Sequence, residues 1–157
     1  MAILDAKTVF AKNYNMSGHG TSGSAYVLGS TAWTGAIADG GVQVVDQGKA
    51  GDAVGQELTI KAVAGADIVG SAATTVQVFI QTAGDNGLNA SGVAVDSNFK
   101  DILTGPAFPV GTKCVKGTSL FECRIPGGTQ RYLRAGYKVA GANVTSGTIS
   151  IFATRDL

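Results

Sequence analysis

The residue types able to do chemistry are thinly spread along this chain, and one segment holds many of them. In IPGGTQRYLRAGYKV, Ile125 to Val139, two tyrosines, two arginines and a lysine follow a proline-glycine-glycine turn. Such a cluster suits a nucleic-acid surface, a catalytic site, or a strand with a charged outer face. Read as a strand, it puts Leu133, Ala135, Tyr137 and Val139 on one side. Tyr132, Arg134 and Lys138 fall on the other, with Gly136 between the last two. Stacking of single-stranded nucleic acid needs several exposed aromatics in a basic groove. Only Tyr132 qualifies, and the isoelectric point is 7.7, below the value above about 9 of typical nucleic-acid domains. No nucleic acid is expected as a partner. Tyrosine and arginine are favoured at protein contacts, so Tyr132, Arg134 and Lys138 are the candidate protein-contact residues. A solvated strand face accounts for them equally well.

Catalytic groups are scarce elsewhere. His19 is the one histidine and lies in SGHGTSG, a setting unsuited to holding a general base at hydrogen-bond distance. Cys114 and Cys123, nine residues apart, match no zinc spacing with so distant a histidine. Neither a GxxxxGK[ST] loop nor a GxGxxG between strand and helix occurs. AGDNGLNASG, residues 83–92, has the composition of a calcium loop but lacks its ordered carboxylates, and turn chemistry explains it. The expectation is a protein that is not an enzyme, with no cofactor and no metal.

Any such face must be positioned by strands, because two-residue alternation dominates the pattern. It predicts Leu58, Ile60 and Ala62 on one side of ELTIKAV, and Val76, Val78 and Ile80 on the inner side of TVQVFIQT. SLFECRI places Phe121, Cys123 and Ile125 against Leu120, Glu122 and Arg124. GTISIFAT places Ile149, Ile151 and Ala153 against Thr148, Ser150, Phe152 and Thr154. GVQVV, residues 41–45, is a further apolar run. Turns are expected at AGDNG, at TGPAFPVG (104–111), at PGGT (126–129) and at GANVTSG (141–147). The short spacing of the last three strands predicts an antiparallel meander. Residues 16–41 predict a loop with one short strand near Tyr26–Leu28. Residues 1–15 predict an N-terminal arm, with a brief helical face as the other possibility. The whole is expected to be one domain over 1–157, an all-β antiparallel sandwich of jelly-roll type.

Composition agrees with that class. The 157 residues include 23 glycines, only 15% are charged, and the formal net charge is +1. So few charges argue against disorder and suggest a surface partly covered by a partner. Residues 1–112 carry a net −4 and residues 113–157 a net +5, counted from Lys, Arg, Asp and Glu. This asymmetry either steers docking onto an acidic partner or merely solubilises the last strands. The start MAILDAKTVF has no signal-peptide pattern, and no apolar run approaches the ~18 residues of a membrane span. No membrane partner is expected. Both cysteines are expected as free thiols, with Cys123 buried.

MAILDAKTVF, IPGGTQRYLRAGYKV and GTISIFATRDL together resemble the capsid cement (decoration) proteins of tailed bacteriophages. The family's P-x-G-T-x-R-Y-L-R stretch is matched by Pro126, Gly128, Thr129, Arg131, Tyr132, Leu133 and Arg134. The resemblance covers both ends of the chain and not residues 12–50 or 83–117. It implies a jelly-roll protein, made in the host cytoplasm, that sits on the outer capsid surface of the virion. There it would bridge copies of the major capsid protein and associate with itself as a homodimer or homotrimer. A carbohydrate-binding sandwich for host attachment is the alternative, with Tyr14, Tyr26 and Trp33 as its aromatic candidates. A small hydrolase would need a titratable partner for His19, and none is evident.

Overall fold

A computed structural model describes residues 8–17, 21–30, 37–48 and 58–155. His19, Trp33 and residues 1–7 lie outside the described residues. Among the described residues ten strands run in chain order: β1 (Val9–Asn15), β2 (Ala25–Leu28), β3 (Val45–Asp46), β4 (Leu58–Val69) and β5 (Thr75–Ala83). They continue as β6 (Lys100–Pro109), β7 (Lys113–Cys114), β8 (Ser119–Arg124), β9 (Tyr132–Ala140) and β10 (Ser146–Arg155). One sheet has the order β1-β10-β4, with β7 and β8 paired to different stretches of the far side of β4. The other is β2-β9-β5-β6, with β3 beside β2 on the same flank of β9. Every pairing is antiparallel. The expected all-β antiparallel sandwich is what the chain forms.

Alternation builds its interior. Ile60, Ala62 and Ala64 of β4 and Ile149, Ile151 and Ala153 of β10 meet Val76, Val78 and Ile80 of β5 and Leu133, Ala135, Tyr137 and Val139 of β9. All are buried, because each inward row can escape water only against the other sheet. Leu120 departs from the expected faces. A bulge lets Ser119 pair with Val63 and Phe121 with Ala62, and the extra residue, Leu120, is buried in the core.

Three further expectations are corrected. β8, β9 and β10 are no meander: β8 pairs β4, β9 pairs β5, and β10 lies between β1 and β4. The connections cross from sheet to sheet, so the inward rows of β9 and β10 face one another. TGPAFPVG is not a turn for most of its length. β6 runs on to Pro109, and Pro106 falls in the register shift between Thr104 and Ala107. Since Val110 N–H donates to Thr74 O at 3.0 Å, alternation turns the Pro109 nitrogen away from β5, where an edge strand needs no donor. Residues 9–15 are not a detached arm. They form β1, with Phe10 and Ala11 fully buried and Val9 opposite Phe152.

The two flanks of the sandwich differ. On one, the chain at 40–46 stitches both sheets together: Lys12 N–H donates to Gly41 O (3.1 Å) and Gln43 N–H to Phe10 O (2.9 Å), after which Val45 and Asp46 pair with β9. On the other flank β6 and β8 lie side by side as edge strands of different sheets. Gly105 is needed there, because the Phe121 ring occupies the place a Cβ would take.

Candidate protein-contact surfaces

The outer face of β9 carries the residues singled out by sequence, in cross-strand rows. Tyr132 is level with Ala83 and Asp46, Arg134 with Gln81, Gly136 with Phe79 and Val27, and Lys138 with Gln77 and Ala25. Alternation therefore places Tyr132, Arg134 and Lys138 correctly on one side, away from the main core. It fails on their exposure. Tyr132 is only 6% and Arg134 2% exposed, and of the three Lys138 alone is open to solvent.

The segment from the 3-10 turn Asp85–Gly87 to the 3-10 turn Asp96–Asn98 folds over the first two rows. Phe99 and Ala83 with Val44 form a second, small apolar cluster around Tyr132. Gly87 is in close approach here, since a Cβ on it would lie 2.7 Å from the Ala83 Cβ and 2.9 Å from the Tyr132 ring. Arg134 packs its guanidinium 3.9 Å from the Phe99 ring centroid. It donates from Nε to Gln81 Oε1 (2.8 Å) and from a terminal nitrogen to Asp96 Oδ1 (2.6 Å). Gln81 in turn donates to Asp101 Oδ1 at 2.7 Å, so one polar row runs across β9, β5 and β6. A buried guanidinium is acceptable only with such replacements for water. No periodic signal announces this cover. The readable sign is an aromatic and two acids, Asp96, Phe99 and Asp101, gathered within six residues at the start of β6.

Arg131 acts as a clamp at the entrance to β9. Its Nε and a terminal nitrogen hold Asp46 through both carboxylate oxygens (3.0 and 2.9 Å), and the other terminal nitrogen reaches Asp85 at 3.3 Å. The hydrogen bonds from Arg131 hold the Asp46 carboxyl below its usual range, and Asp46 and Asp85 together keep Arg131 charged far above neutral pH. Lys113 pairs with Asp67 at 2.8 Å in the same fashion. Part of the charge asymmetry is thus consumed inside the molecule: Lys113, Arg131 and Arg134 are neutralised by Asp67, by Asp46 with Asp85, and by Asp96.

What remains open on this face is the row around Lys138: Val27, 45% exposed, with Ala25, Ala107 and the lysine itself. On the opposite sheet a groove of about 670 Å³ is lined by Val63, Gly65, Ser150 and Phe152, with Lys12 and Lys116 also lining it. Lys12 is engaged by Asp39 at 3.1 Å. A smaller groove of about 390 Å³ separates β6 from β8.

Of the aromatic candidates for a sugar platform, Tyr14 and Tyr26 are half-buried and lean on the fully buried Tyr137, with ring centroids 6.5 and 5.4 Å away. Burial and its tyrosine neighbours push the Tyr137 hydroxyl strongly up. Both cysteines are free thiols, but Cys114 is the buried one and Cys123 is partly exposed, the reverse of the expected emphasis. They stand opposite Ile68 and Ile60 of β4, roughly 27 Å apart along the strand, and cannot bridge within one molecule. Among the described residues no group of three His, Cys, Asp or Glu side chains is placed to hold a metal, and no helix is long and apolar enough to cross a membrane. No protein-family model matches the chain, and no curated protein matches it.

Proposed function

We propose that this protein is a capsid cement (decoration) protein of a tailed bacteriophage, with a jelly-roll sandwich that works by docking and performs no catalysis. The observation that supports the reading is the Pro126–Arg134 segment, whose sequence resembles a stretch of cement proteins. It leads from β8 of one sheet into β9 of the other, and its two arginines fasten β3 at Asp46 and the turns at Asp85 and Asp96. A resemblance concentrated in residues that fix the outer contour of a sandwich fits a protein whose task is to present a stiff surface. Low charge fits as well, because contact areas are depleted of charged groups at their centres.

On this reading the shell contact lies on the open half of the β9 face, at Val27 and Lys138, and the partner is the major capsid protein on the outer surface of the virion. Many copies, each with a modest interface, would restrain subunits that genome pressure pushes apart. The purified protein is expected to co-sediment with shells lacking it and to raise their resistance to heat. Val27→Asp with Lys138→Glu is expected to abolish co-sedimentation while the free protein melts unchanged. Shells of its own virus that fail to bind the unaltered protein overturn the function, whereas binding by the double variant overturns only the location.

A further inference from the structure

We propose that the groove on the outer face of the β1-β10-β4 sheet binds an alkyl carboxylate, its chain laid across the strands and its head at Lys116. The solvent face of an antiparallel sheet is ordinarily polar. Here Val9, opposite Phe152, and Val63 form an apolar floor instead, to which Ile37 adds. Phe152, Val63 and Ile37 are only half-buried. The groove's volume of about 670 Å³ falls within the range of about 300–1,000 Å³ usual for small-molecule sites.

The polar groups select the ligand. Asn13 N–H donates to Ser150 Oγ (2.9 Å), and that hydroxyl donates to Asn13 Oδ1 (3.2 Å). The two satisfy each other, so the middle of the groove asks for no polar partner. Gly65 permits this, because a Cβ there would run into the Asn13 carboxamide. The two ends differ in charge. At the β1 end Lys12 is neutralised by Asp39 at 3.1 Å. At the other, Lys116 lies in the turn between β7 and β8, and its ammonium has no carboxylate partner among the described residues. Asp67 is already taken: Lys113 holds it at 2.8 Å, and it accepts the main-chain N–H of Lys116 at 2.8 Å. Among the described residues no carboxylate lines the groove. An apolar floor with an uncompensated cation at one end fits an apolar chain with a terminal anion.

The sheet sets the length of that chain. Gly117 N–H donates to Ala64 O at 2.8 Å, so the turn lies one step outside β4, with β10 and β1 beyond. Three steps of about 4.8 Å make roughly 14 Å, the extent of a chain of about ten to twelve carbons.

The groove is on the sheet opposite the face assigned to the shell, and it is tested on the free protein. Isothermal titration with alkanoates below their micelle concentrations is expected to show saturable binding of one molecule per chain. Affinity is expected to rise about two- to fourfold per added methylene. The rise is expected to level off near dodecanoate, where the tail reaches the Lys12–Asp39 wall. Decan-1-ol is expected to bind more weakly than decanoate. Lys116→Glu is expected to weaken decanoate about tenfold and to leave decan-1-ol within about twofold. Val63→Trp, which fills the floor, is expected to weaken both. Melting temperatures check that each variant is folded, and Lys116, on an exposed turn, keeps the test decisive if Val63→Trp is not. No saturable binding, decan-1-ol as tight as decanoate, indifference to Lys116→Glu, or a gain that continues undiminished beyond dodecanoate overturns the proposal.

Discussion

Arg134 and Lys138 occupy the same face of one strand and differ only in what lies above them. The Arg134 guanidinium has exchanged water for Asp96, Gln81 and the Phe99 ring, whereas Lys138 keeps its hydration. Arg134→Glu would bury a carboxylate close to Asp96, and is expected to cost about 3–5 kcal/mol in urea unfolding. Lys138→Glu is expected to stay within about 0.5 kcal/mol. The pair is also asymmetric within itself. Asp96 is 86% exposed while Arg134 is 3% exposed at its side chain, so Asp96→Asn leaves a buried cation short of a partner, whereas Arg134→Met leaves only a solvated acid. The first change is expected to be the more damaging for the charge balance, and comparing the two urea midpoints checks it. Asp46 extends the argument to pH. Its folded pKa is depressed, chiefly by the hydrogen bonds from Arg131, so its stabilising effect is full above the unfolded value of about 3.9. That effect is lost as pH falls through the lower folded value. The acid limb of a melting-temperature profile is expected to be shallower in Asp46→Asn, by a small amount because the carboxylate is partly solvated.

At the scale of elements, the parts legible in the sequence were those set by local alternation. The inner rows of β4, β5, β9 and β10 follow from the two-residue period, since a strand half in water has no other stable pattern. The parts that escaped were set by partners distant in sequence. Spacing alone could not distinguish a β8–β9–β10 meander from crossovers, because PGGT and GANVTSG are equally able to arch between sheets. The prolines of β6 read as turn signals until the strand is known to be an edge. Tyr132 and Arg134 read as exposed because the cover at 84–99 has no period of its own. The partner of Gly136 was equally unreadable: the Phe79 ring of β5 lies over it, where a Cβ would collide. Gly136→Ala is expected to destabilise by about 1–3 kcal/mol through overpacking. Combining it with Phe79→Leu is expected to recover part of that loss, and a double-mutant cycle measures the coupling.

For the whole molecule, the flank stitched at 40–46 contrasts with the flank where β6 and β8 are edge strands of different sheets. Lys113, Arg131 and Arg134 are paired with acids from the first two thirds of the chain, so the folded surface is less polarised than the sequence suggests. Pairings of this range make closure slow, and refolding from urea is expected in the millisecond-to-second range by stopped-flow fluorescence.

The position of β10 between β1 and β4 has a consequence for synthesis. Val9 and Ala11 wait for Phe152 and Ile151, and Ala62 and Ala64 wait for Ile151 and Ile149. Until β10 has left the ribosome's tunnel, β1 lacks its strand partner in that sheet and β4 has neighbours, β7 and β8, on one edge alone. The gap between β1 and β4 therefore closes only once β10 is available, after the facing sheet has all of its strands. A stalled chain ending before Ser146 is the species on which chaperones would act.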